Sequence, residues 1–145
     1  MNALGFLKDI RKKREERKLL LMFYSELAKN LETFYVHDQR GTLGRFGLEV
    51  WIVVKQNLGI ILDEKIIICQ TALDRYNAIF DDFIKYEQWY ISDIKNKTTE
   101  NSRQLHEKKQ HLKEEFQGLL PIIKTALEQF KNQLIALNFI QKGKQ

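Results

Sequence analysis

One cysteine, one proline and no apolar run long enough to cross a bilayer set the first limits on this chain of 145 residues. Cys69 has no partner for an internal disulfide, and a reducing, cytoplasmic setting is expected. The longest greasy stretch, Leu48 to Leu62, is interrupted by Lys55, Gln56 and Asn57 and stays short of the roughly 20 apolar residues a membrane helix needs. The opening Met1 to Leu7 is too short for the apolar part of a secretory leader, and its charges follow the apolar stretch instead of preceding it. Motifs that carry chemistry are scarce as well. There is no Gly-x-Ser-x-Gly elbow, and no Glu-x-x-His pair repeated on two helices, as a carboxylate-bridged metal site in a bundle requires. His106 and His111 lie five apart and point about 140° away from each other on a helix. The expectation is a protein without enzymatic activity, cofactor or metal, and no small-molecule substrate is inferred.

What the chain does have is helical periodicity. Hydrophobic residues make up 43% and charged residues 30%, a balance that favours one packed domain over disorder. Large apolar side chains recur at alternating steps of three and four, the spacing of long helices with a continuous buried seam. The first helix is expected from Leu4 to His37, with Leu20, Tyr24, Leu27, Leu31 and Phe34 facing inward. The second starts between Gly59 and Asp63 and carries Leu62, Ile66, Cys69, Leu73, Tyr76, Phe80, Phe83, Glu87, Tyr90 and Ile94. A third, introduced by a capping box at Asn101 and Gln104, carries Leu105, Lys109, Leu112, Phe116, Leu119, Ile123, Ala126, Phe130, Gln133, Leu137 and Ile140. Pro121 lacks an N–H and crowds the carbonyl of Gln117, so this helix should kink or restart between Gln117 and Ile122. The predicted fold is all-α: an antiparallel bundle of three long helices in up-down-up order plus one shorter helical segment, with coiled-coil-like packing. Phe80, Phe83, Phe116, Ile123 and Phe130 should share one buried core. Leu120, Leu127, Leu134 and Ile135 widen the apolar stripe of the third helix, which points to self-association or a protein partner.

Between the first two long helices the pattern stops. Gly41, Gly44 and Gly47 fall within seven residues, the mark of a connection. Leu48 to Val54 reads locally as a strand with Leu58 to Leu62 as hairpin mate, but nothing else in the chain offers a sheet, so a short helix is preferred over the 48–58 segment. The glycines together with Arg40 and Arg45 resemble an anion-binding loop. Its spacing is not that of a Walker loop and no strand precedes it; a flexible connection is the simpler reading.

The most distinctive local feature is the start. Arg11 to Lys18 is an unbroken run of eight charged residues, preceded by the apolar Leu4, Phe6, Leu7 and Ile10. Residues 1–18 hold seven basic and three acidic side chains, which accounts for most of the net charge of +5. The chain therefore divides into a basic amphipathic helix extension (1–18), a bundle domain (19–141) and a frayed tail (142–145). The plain reading of the extension is a solvated helix end with Glu15 and Glu16 paired to neighbouring cations. The functional reading assigns Arg11, Lys12, Lys13, Arg14, Arg17 and Lys18 to an anionic membrane surface and Leu4, Phe6, Leu7 and Ile10 to lipid contact. Nucleic acid ranks lower as a partner, because the second helix is net negative, with seven acidic to five basic residues from Asp63 to Lys97. Function is thus expected to be that of a cytoplasmic interaction or scaffold protein, with peripheral membrane docking as the alternative.

Overall fold

The computed structural model describes residues 3–57 and 62–141. The expectations for Leu58, for a helix start at Gly59 and for the 142–145 tail lie outside the described residues, as do the side chains of Phe6 and Ile94. The fold is all-α: α1 (Ala3–Arg40), a short α2 (Glu49–Gln56), α3 (Glu64–Ser92) and α4 (Thr99–Ala136), with a single 3-10 turn at Ile94–Asn96 before α4. The β-branched run after Gly47 is helical, as preferred from the sequence.

Side-chain pairs fix the directions. Arg75 pairs with Glu115, Lys108 with Asp82 and Gln129 with Asp63, so α3 and α4 are antiparallel. Phe34 stacks on Phe116 and Phe23 meets Phe130, so α1 and α4 are antiparallel too. It follows that α1 and α3 run in the same direction, and the order of the three long helices is up, up, down. The expected up-down-up order treated residues 38–47 as a reversal between neighbours. Instead the extended segment 42–48 and α2 together carry the chain back down the bundle, with Phe46 against Tyr76 and Trp51 against Phe23.

The core follows the three-four rhythm most faithfully where a helix has one dominant partner. On α3, Ile66, Cys69, Leu73, Tyr76 and Phe83 are buried; on α4, Leu112, Phe116, Leu119, Ile123, Ala126, Phe130 and Leu134 are. Phe116 is the hub, its ring 4.5 Å from Phe34, 5.8 Å from Tyr76 and 6.1 Å from Phe46. Three expectations need correction. On α1 the buried positions are Leu20, Phe23, Leu27, Asn30 and Phe34, while Tyr24 and Leu31 are half-buried flanks. The stripe is displaced because α1 packs on both α4 and α2. Phe80 is only half-buried, its ring 6.2 Å from that of Tyr76. It sits where α1 gives way to the 42–48 segment, and beyond that level α3 and α4 continue as a pair, with Tyr86 donating to Gln104. Near the end of α4 the seam steps by four from Phe130 to Leu134 and leaves Leu137 exposed. Leu134 is enclosed, Leu120 and Leu127 pack against the core, and Ile135 is half-buried.

Helix ends are closed by identifiable groups. Gly41 has φ +64°, Thr42 N–H donates to the His37 carbonyl (2.9 Å) and Gly41 N–H to that of Asp38 (3.2 Å), a Schellman closure of α1. Asn138 at φ 60° closes α4 in the same way, with Phe139 N–H on the Leu134 carbonyl. Asp63 caps α3 by accepting from Lys65 N–H (2.8 Å). Thr98, not Asn101, caps α4 by accepting from Asn101 N–H (3.1 Å); the Asn101 carboxamide instead donates to the Asn96 carbonyl. Pro121 stays inside an uninterrupted α4. Its ring is on the exposed side, and Leu119 and Ile123 are anchored in the core on either side of it, which offsets the lost hydrogen bond and prevents a restart.

Candidate interaction surface

Among the described side chains of α1, Leu20 is the first that is buried. The helix nevertheless begins at Ala3, so residues 3–18 form an arm of about 24 Å at 1.5 Å per residue, whose base from Lys12 to Lys18 runs beside Val53 and Asn57. Leu4 is 69% exposed, Leu7 59% and Ile10 39%. Arg11, Lys12, Lys13, Arg14, Arg17 and Lys18 are all exposed. At 100° per residue, Leu4, Leu7, Ile10, Arg11, Arg14 and Lys18 fall within about 120° of arc, on the side turned away from Leu20, Phe23 and Leu27. Asp9 and Glu16 fall on the opposite, core-facing side, and Glu15 at the border. The arm therefore presents apolar and cationic groups to one direction with its acidic groups mostly behind.

Among the described residues, Arg17 is the one proposed cation with a partner of its own: its guanidinium donates to the Phe139 carbonyl (3.3 Å) and lies 6.0 Å from the Phe139 ring centroid. It ties the base of the arm to the closing turn of α4. Among the described residues, Glu15 and Glu16 make no ion pair with the neighbouring cations, so the local pairing expected of a merely solvated helix end is not formed.

The glycine-rich segment has a different role from either reading of it. Two buried carboxamides hold its backbone, each at two points. Phe46 N–H donates to Asn77 Oδ1 (3.0 Å) while Asn77 Nδ2 donates to the Phe46 carbonyl (2.9 Å). Gly47 N–H donates to Asn30 Oδ1 (3.0 Å) while Asn30 Nδ2 donates to the Gly47 carbonyl (2.9 Å). Tyr76 donates its hydroxyl to the Gly44 carbonyl (2.9 Å), and Arg45 is ion-paired with Asp81 (3.1 Å). Gly44 lies so close under the His37 ring that a Cβ there would collide with it. The N–H groups of Gly41, Thr42, Phe46 and Gly47 thus all have internal acceptors and do not converge on an anion site. The segment is a fastened strap, not a flexible linker. Its continuation is fastened as well: Glu26 of α1 accepts from the N–H groups of Val50 (2.7 Å) and Trp51 (3.1 Å), capping α2 where Leu48 offers no side-chain cap.

The sequence reading missed Glu26, Asn30 and Asn77. The available signal was positional: Leu20, Phe23, Leu27, Asn30 and Phe34 also step by three and four, and a polar residue in such a register calls for a buried partner. Gln70 is a further buried carboxamide of α3, with no side-chain hydrogen bond among the described residues. Burial pushes the Cys69 thiol up to about 12, through loss of hydration of the thiolate, so it stays protonated and unreactive at neutral pH. Burial also raises Tyr76 above the usual phenol range. Among the described residues no group of three or more His, Cys, Asp or Glu is placed to hold a metal ion, and no helix is long and apolar enough to cross a membrane. No protein-family model, curated protein or solved structure matches the chain.

Proposed function

We propose that this chain is a non-enzymatic interaction module, a helical-bundle scaffold whose projecting basic arm docks on an anionic lipid surface at the cytoplasmic face of a membrane. The observation that carries this reading is the one-sided arm: an exposed Leu4, Leu7 and Ile10 followed by Arg11, Arg14 and Lys18 on the same side, held out beyond the core by a continuous helix. A planar surface is met by one side of a helix only. Cations near anionic headgroups contribute about 1 kcal/mol each, so these three supply about 3 kcal/mol, and insertion of the apolar tip adds to that. Neither contribution is sufficient alone, because charge is screened by salt and a short apolar contact is weak.

The test is co-sedimentation of the full chain with phosphatidylserine-containing and pure phosphatidylcholine vesicles at low and physiological salt, beside a nucleic-acid mobility shift at the same salt. Binding confined to the anionic vesicles and weakened by salt supports the reading. Indifference to anionic vesicles at low salt ends it, and tighter binding to nucleic acid than to vesicles would move the arm's partner to a phosphate backbone.

A further inference from the structure

We infer that the lipid-facing surface does not end with the arm but has a second apolar anchor at its base, formed by Met22 of α1 with Ile52 and Val53 of α2, so that the module docks at two points with the cations between them. This inference rests on the reading of the arm given above and extends it to α2. Leu4, Leu7, Arg11, Arg14, Lys18 and Met22 are separated by steps of three, four, three, four and four, and so form a single outward stripe along about 27 Å of α1. Met22 is 48% exposed, although it sits between the buried Leu20 and Phe23 on a helix whose other large apolar residues at this level turn inward. Beside it Val53 is 52% exposed, and the next residue of α2, Ile52, is 54% exposed.

Met22 and Val53 are neighbours because Glu26 fastens the start of α2 against α1, and Ile52 is the exposed residue next to Val53 on α2. Met22, Leu19 and Val53 line one shallow cleft at the junction of arm and bundle, together with the cations Lys12 and Lys18 and the carboxylates Glu15 and Glu16. The same short helix directs Val54 into the core and Trp51 against Phe23, so it is held from behind while Ile52 and Val53 face solvent. Along the α1 stripe the surface reads apolar, cationic, apolar, with Glu15 and Glu16 on its border toward Val53. That order suits an interface in which acyl chains accept both ends while headgroup phosphates meet the middle, and Lys55 follows on α2 with a further cation. Continuity with the arm, not exposure alone, assigns this patch to the membrane: the stripe has no gap between Lys18 and Met22.

The experiment uses the full chain with an environment-sensitive fluorophore attached through Val53→Cys in one sample and Leu7→Cys in another. Cys69 is buried with its thiol held protonated, so labelling is selective in the native protein. On phosphatidylserine-containing vesicles both labels should shift to the blue, and neither should on phosphatidylcholine alone. Ile52→Ser with Val53→Ser, the arm left intact, should weaken partition about tenfold without lowering the unfolding midpoint, since both side chains are already half in water. A blue shift at Leu7→Cys with none at Val53→Cys, or unchanged partition of the double Ser variant, overturns the second anchor and leaves the arm reading standing. No shift at either position removes both.

Discussion

Asn77→Ala is the sharpest perturbation of the fold, because it removes one residue that fastens the strap at two points. Asn77 is 2% exposed, and its carboxamide serves the N–H and the carbonyl of Phe46 at 3.0 and 2.9 Å. Deleting it leaves two buried backbone groups unpaired, each worth about 1–3 kcal/mol of desolvation. Water entering the vacated space satisfies part of this, so the expected loss is about 2–4 kcal/mol, a large fraction of the 5–15 kcal/mol typical of a domain. Asn77→Asp separates the two bonds. A carboxylate still accepts from Phe46 N–H but faces the Phe46 carbonyl with no proton to share. Burial raises the folded-state pKa of such a group, so the variant should be more stable in acid, where it is protonated and can donate, and lose stability as pH rises through that pKa. Urea unfolding followed by circular dichroism gives the stability, and hydrogen exchange at Phe46 and Gly47 locates the change. A loss under about 1 kcal/mol in Asn77→Ala, with exchange at Phe46 unaltered, would refute the claim that the carboxamide holds the strap.

Three further outcomes are expected. Phe130→Ala, which empties a site 1% exposed, should cost about 3–5 kcal/mol, while Phe80→Ala at the half-buried rim should cost distinctly less by the same urea assay. Gln70→Met should raise stability by about 1 kcal/mol or leave it unchanged, because it replaces two buried unbonded polar atoms by an apolar side chain of similar shape; a large loss in the melting curve would show that the carboxamide is satisfied in solution. Stability should fall between pH 9 and 12, since the unfolded chain releases the Cys69 proton near 9.0 while the folded chain keeps it to about 12, and Cys69→Val should lessen that decline in a pH series of unfolding midpoints while leaving the part due to the raised Tyr76 hydroxyl.

How much of this was legible in the sequence depends on how many partners each helix has. For α3 and α4, each the other's main partner, the three-four spacing located the buried apolar residues from Ile66 to Tyr76 and from Leu112 to Phe130, though not the buried Gln70. For α1 it located Leu20, Leu27 and Phe34 but missed Phe23 and Asn30, because the polar Asn30 disguised the true register and made Tyr24 and Leu31 look like the inward pair. The strap was invisible for the same reason: its fastenings are Asn30 and Asn77 binding backbone across 17 and 31 residues of chain, and neither loop composition nor glycine spacing encodes such partners. The capping of α4 by Thr98 was displaced by three residues from the reading because Asn101 and Gln104 offer the same side-chain chemistry. The arm, in contrast, is a local helix with an unbroken charge run, and its cations and apolar tip were readable directly. Met22 with Ile52 and Val53 was not, since their adjacency depends on Glu26 drawing α2 onto α1.

The central claim is that the arm docks the bundle and does not hold it together. The most direct measurement pairs thermal unfolding with vesicle co-sedimentation for Leu4→Ser, Leu7→Ser, Ile10→Ser combined in the full chain. The account predicts an unfolding midpoint equal to that of the wild type and binding to phosphatidylserine-containing vesicles reduced at least tenfold. A midpoint lowered by many degrees, or vesicle binding as tight as before, would contradict it.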